Sequence, residues 1–152
     1  MKRLLLLSVI CYLLFAGSVF YYLHYYYIHY PKDSSEYWQY GYKEAVSYIK
    51  ENYEKYEKII VSDVYGRAYG YLLFYLQYKP EKIQEEAGIQ EIEGKGIYKV
   101  GKCEVGNIGR FLNSGLKNIL LVGSPEEFPK NIKALKVIKD LNNQEIFKIV
   151  AK

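Results

Sequence analysis

Lys58-Ile59-Ile60-Val61-Ser62-Asp63 is the stretch on which the fold class turns. Its apolar core is β-branched and too short for a helix, and a turn containing Gly66 follows, so it reads as a buried central strand. A second run of this kind, Asn118-Ile119-Leu120-Leu121-Val122, lies far downstream. Between and around the two, the pattern is helical. Upstream, Trp38, Tyr42, Ala45, Val46, Ile49, Tyr53 and Tyr56 recur at three- and four-residue steps, which predicts an amphipathic helix capped by Asp33 or Ser35 with Glu36 in its first turn. Downstream, a helix is expected from near Gly66 through Tyr69, Leu72, Leu73, Tyr75 and Leu76 to Lys79-Pro80. A short third helix should follow over Glu81–Ala87, closed by Gly88.

The glycine-punctuated stretch Gly94–Gly101 has a strand at its centre, and Asn107–Ser114 carries Ile108, Phe111 and Leu112 at helical spacing before Gly115. Ser124-Pro125-Glu126-Glu127 fits a cap followed by a first turn. Ala134–Lys139 and Glu145–Val150 alternate in apolar character across a five-residue loop, a terminal hairpin. Helices alternating with buried strands imply an α/β domain with a small mixed sheet ending in a β-hairpin. There is no internal repeat.

The front of the chain is of another kind. From Leu4 to Ile28 there are 25 residues without formal charge if His24 is neutral. At about 1.5 Å each, such a helix crosses a hydrocarbon core of roughly 30 Å. Lys2-Arg3, Leu4–Phe15 and Ala16-Gly17-Ser18 also imitate a cleaved signal peptide. The continuation Val19–Ile28 favours a transmembrane helix instead, because Tyr21, Tyr22, Tyr25, Tyr26, Tyr27 and Tyr30 form the aromatic belt of a helix leaving a bilayer. Residues 1–30 are thus read as a single-pass anchor and 31–152 as the domain, with Pro31 ending the helix and Pro31–Ser35 a polar hinge. Lys2 and Arg3 place the N-terminus in the cytoplasm and the domain outside. His24 and His29, five apart, are expected on different parts of the helix surface, and no metal site is predicted.

Composition narrows the function. The net charge of +4 falls to +2 without Lys2 and Arg3 (19 basic against 17 acidic), which excludes a strongly basic nucleic-acid binder. Cys11 and Cys103 cannot form a disulfide framework, and Cys103 is expected to be an ordinary buried or semi-buried thiol. Tyrosine, 19 of 152 residues, is several times ordinary usage and points to an interface. Gly101-Lys102-Cys103 lacks the hydroxyl of a phosphate loop, no Gly-x-Ser-x-Gly elbow occurs, and both histidines belong to the anchor. No cofactor and no catalytic residue is indicated. In open α/β sheets ligands bind beyond the carboxyl ends of strands, so Asp63 and Arg67, after the first strand, are candidates to hold a sugar or phosphate. They fit a cap or a mutual ion pair equally. Trp38, Gln39, Tyr40 and Lys43 are candidates for a glycan, although Trp38 also fits the core-facing stripe.

Tyr27-Ile28-His29-Tyr30-Pro31, Trp38-Gln39-Tyr40-Gly41-Tyr42-Lys43-Glu44-Ala45, Lys58–Asp63 and Leu72-Leu73-Phe74-Tyr75 together resemble the end of bacterial and archaeal membrane glycosyltransferases of the protein-mannosyltransferase type, family 39 with the GT-C fold. There a last transmembrane helix leads through a Tyr-Pro exit and a Trp-Gln-x-Gly-x-Lys helix into a small extracytoplasmic α/β domain. The resemblance covers nearly the whole chain. It implies donors linked to polyprenyl phosphate, and partners comprising the bilayer, the remaining transmembrane helices and a polyprenyl-linked sugar or glycan acceptor. The acidic catalytic motif of those enzymes lies in an early loop with no counterpart here, so no catalytic residue carries over. The resemblance therefore implies a C-terminal fragment, a split subunit or a free-standing accessory domain, non-catalytic alone, that helps position acceptor or glycan or helps the enzyme fold. The alternative is a single-pass anchored binding or scaffold protein with no enzymatic partner.

Overall fold

The computed structural model describes residues 2–35, 37–85 and 98–152. It divides into two compact units, Met1–Trp38 and Gln39–Lys152.

The first unit is a helix. α1 (Lys2–His24) passes into a π-helical turn (Tyr25–His29) and then α2 (Tyr30–Asp33). The span Lys2–Asp33 is long and apolar enough to cross a membrane, with none of its apolar window buried inside the protein. Pro31 does not end this helix, contrary to the sequence expectation. Proline lacks an N–H and its ring crowds the carbonyl four residues back. The π-turn directly upstream absorbs that conflict by shifting the ladder to five-residue steps, and the Tyr30 N–H donates to the Tyr25 carbonyl. The same shift corrects the reading of the histidines. In an α-helix residues five apart point about 140° away from each other, but the wider π-turn leaves the His24 and His29 rings 5.2 Å apart. The expected polar hinge is a bonded turn: Ser34 N–H reaches the Tyr30 carbonyl at 2.9 Å, and Ser35, buried, donates its hydroxyl to the Lys32 carbonyl at 3.0 Å.

The second unit is the α/β domain. Its described strands are β1 (Lys58–Val61), β2 (Tyr98–Val100), β3 (Cys103–Val105), β4 (Ile119–Gly123), β5 (Lys136–Lys139) and β6 (Glu145–Ala151). They form a mixed sheet in the order β2-β3-β1-β4-β6-β5. β3 and β4 flank β1 and run parallel to it; β2, β6 and β5 pair antiparallel at the two sides. Side chains alternate across the pleat. Ile59, Val61, Leu120 and Val122 face α3 (Tyr42–Asn52) and α4 (Ala68–Tyr75). Ile60, Ile119 and Leu121 face α6 (Ile108–Leu112) and Phe128. The domain is thus three-layered, with α5 (Pro80–Glu85) on the way from α4 to β2. Ala87, Gly88 and the glycines at 94 and 96 lie outside the described residues.

Two local readings change. α3 starts at Tyr42, not after Asp33 or Ser35, because Gln39 (φ 52°) and Gly41 (φ 96°) take left-handed conformations that interrupt any helix. Trp38 therefore falls outside the stripe and is 69 % exposed, whereas Tyr42, Ala45, Val46 and Ile49 are buried as the periodicity requires. β3 was not foreseen at all. Gly101-Lys102, which lacks the hydroxyl of a phosphate loop, is the turn joining β2 to β3; Gly101 has φ 56° and the Lys102 N–H donates to the Tyr53 hydroxyl at 2.8 Å.

Cys103 on β3 is fully buried, and burial pushes its thiol up to about 12. The unfolded thiol ionises near pH 8.5, so the folded chain holds this proton more tightly. Its contribution to stability is complete below that value and is lost as pH rises toward the folded value. Buried Tyr42 acts in the same direction, its phenol raised first by burial and then by Asp63. We predict that Cys103 resists maleimide at pH 8 until the chain is denatured, and that the melting temperature declines steadily above about pH 9.

Candidate functional site

The parallel strands define where a ligand would enter. α4, which follows β1, lies on one face of the sheet; the turn that follows β4 carries Phe128 into the other. The connections leaving β1 and β4 therefore diverge, and the crevice between the carboxyl ends of these strands is the switch point of an open α/β sheet. Both strands run into a buried serine, Ser62 and Ser124.

These serines are tied together. The Ser62 N–H donates to the Val122 carbonyl at 2.8 Å, and its hydroxyl donates to Glu127 Oε1, also at 2.8 Å. The other Glu127 oxygen accepts the Ser124 N–H at 2.9 Å, fixing the carboxylate on the short turn Pro125–Glu127. Ser62 Oγ in turn accepts the Val64 N–H at 3.1 Å. A carboxylate so placed cross-links the two strand ends. Glu127→Ala would leave a buried hydroxyl and a buried N–H without their acceptor, a loss of about 1–3 kcal/mol. The expected result is a lower urea midpoint with an unchanged slope, partly restored by Glu127→Gln.

The sequence-derived candidates divide. Asp63 Oδ1 accepts the Ala68 N–H at 3.0 Å and so caps α4. It forms no ion pair with Arg67 among the described residues. Arg67 is exposed and left-handed (φ 59°) at the start of α4. Gln39 comes to the same loop from before α3: its Nε2 donates to the Tyr65 carbonyl at 2.5 Å, while its Oε1 is buried without a hydrogen-bond partner among the described residues. Beneath them the Tyr42 hydroxyl faces the Gly66 carbonyl at 3.5 Å, and the Tyr65 hydroxyl donates to the Ile146 carbonyl at 3.0 Å. Gln39, Asp63 and Arg67 thus share one end of the sheet. Tyr40 and Lys43 are exposed, and Trp38 belongs to the anchor unit, where its indole N–H faces the Tyr30 hydroxyl at 3.4 Å.

Sequence reasoning missed the Ser62–Glu127 link. The available signal was a serine at the end of each of two buried strands, with an acid three residues after the second. Chemically, Ser62, Ser124 and Glu127 are occupied with one another, Asp63 holds the start of α4, and Arg67 is an exposed cation on the same loop. An exposed guanidinium suits an anionic ligand. No known protein family, curated protein or solved structure matches this chain.

Proposed function

We propose that this chain is a membrane-anchored, extracytoplasmic accessory domain of a glycosyltransferase that uses polyprenyl-phosphate-linked sugars, non-catalytic by itself, that positions acceptor or glycan or supports the folding of the enzyme. The observation that carries the reading is the combination of a helix apolar enough to span a bilayer with an α/β domain entered through Trp38-Gln39-Tyr40-Gly41-Tyr42-Lys43. That segment is the most specific part of the resemblance. Two further facts support it. Two carboxylates beside the crevice are spent on structure, Asp63 as a cap and Glu127 as a cross-link, which favours a positioning role over acid–base chemistry. Arg67, exposed on the loop after β1, offers a phosphate a cation.

Deletion of the gene should reduce sugar transfer from a polyprenyl-phosphate donor in isolated membranes, and the full chain supplied in trans should restore it. The purified chain alone should give no turnover above a buffer control. Membranes that transfer sugar equally well without the chain would favour an anchored binding protein with no enzymatic partner, and turnover by the chain alone would place catalysis here.

A further inference from the structure

Trp38, the chain's one tryptophan, is stationed by the anchor and not by a core. Tyr22, Tyr26 and Tyr30 lie four residues apart, and their rings form a near-parallel ladder with centroids 6.0 and 5.7 Å apart and interplanar angles of 18° and 14°. After α2 the chain turns back. The Ser34 N–H bonds to the Tyr30 carbonyl and the Trp38 N–H to the Ser34 carbonyl at 3.1 Å. The indole N–H thereby reaches the Tyr30 hydroxyl, so Trp38 extends the ladder.

The position of this ladder along the helix can be counted. If the hydrocarbon core begins at Leu4, after Lys2 and Arg3, about 20 residues bring the helix to its far edge near Leu23. Tyr22 then sits at the edge, and Tyr26 and Tyr30 stand roughly 4 and 10 Å beyond it. The ladder runs from the oily side of the headgroup layer, about 5–7 Å deep, to just beyond it, and helical side chains lean back toward the N-terminus and so toward that layer. Rings with an apolar body and one hydrogen-bonding end suit that layer better than either neighbour. Tyr37, 87 % exposed, adds another.

We infer that the Trp38 ring, held by Tyr30, is seated in the headgroup layer of the bilayer as the outermost anchor of the helix, so that its partner is lipid and not a glycan or the domain core. This rests on the membrane-spanning reading of Lys2–Asp33. The test uses the full chain reconstituted in phosphatidylcholine vesicles, with Trp38 as the only indole. Phosphatidylcholines brominated high on the acyl chain should quench its fluorescence several-fold more than those brominated near the chain end, and acrylamide in the water should quench it several-fold less than free tryptophan amide. Full acrylamide quenching without lipid quenching would put the ring in water and overturn the inference. Quenching by neither would mean that protein covers the ring, and would overturn it too. Alkaline carbonate separates the two levels: a chain released from the vesicles refutes the spanning reading as well, whereas a chain that stays inserted with a water-quenched Trp38 refutes this inference alone.

Discussion

Phe147→Ala should cost the domain about 3–5 kcal/mol, the usual result of truncating a fully buried aromatic ring. Phe147 has no exposed surface, and two tyrosines meet it edge to face, Tyr42 at 4.9 Å and Tyr65 at 5.3 Å between centroids. Tyr42 is itself stacked on Tyr71 at 4.6 Å. Removing the ring therefore opens a void beneath both α3 and the loop that carries Tyr65. The hydrogen bond from Tyr65 to the Ile146 carbonyl should loosen with it. For a unit of this size the melting temperature should drop by about 10 °C or more. The crevice should suffer before the rest of the sheet, because Tyr65 holds Gln39. Hydrogen exchange at Val64–Ala68 checks this, and exchange that rises equally everywhere would show that Phe147 supports the whole core and not this loop in particular.

Gly41→Ala should be nearly as damaging, although it adds only a methyl group. The backbone there has φ 96°, where a side chain costs about 1–2 kcal/mol. The new methyl would overlap Ile146 Cδ1, which can swing away, and press to 3.2 and 3.3 Å on Phe147 and Ile138, which are buried and cannot move freely. Overpacking of this kind costs about 1–3 kcal/mol, giving roughly 2–5 kcal/mol in all. A denaturation midpoint within error of the parent would show that the entry to α3 is malleable. The glycine of the Trp-Gln-x-Gly-x-Lys segment thus has a structural explanation, namely close packing of the first turn of α3 on the terminal hairpin.

The parts of the fold legible in the sequence are those whose signal is local. β1 and β4 announce themselves as apolar runs, and β5 and β6 by alternation across a turn; all four are present. α4 and α6 follow from spacing and from their flanking glycines. What failed was wherever the backbone changed phase. The step from Trp38 to Tyr42 has helical spacing, but left-handed Gln39 and Gly41 lie between them, and the ring expected in the core is on the surface. The π-turn is of the same kind: no residue-by-residue propensity encodes a shift to five-residue steps, so His24 and His29 looked far apart. β3 is three residues long, too short for a period to register, and is a strand because it pairs with β1 and β2.

At the candidate site the same division holds. Asp63 as a cap could be read from its place before a helix. The Ser62–Glu127 bond spans 65 positions and exists only because β1 and β4 lie side by side. Gln39 likewise could not be paired with Tyr65, 26 positions away, from sequence alone.

The proposed function requires a helix that spans the membrane and presents the α/β domain outside the cell. Cys103 cannot report on this because it is buried, but Asn142 is exposed in the loop between β5 and β6. With Cys11 changed to serine, Asn142→Cys provides one accessible thiol. In intact cells an impermeant maleimide should label it as fully as after lysis. Labelling that appears only after lysis would place the domain in the cytoplasm and contradict the account.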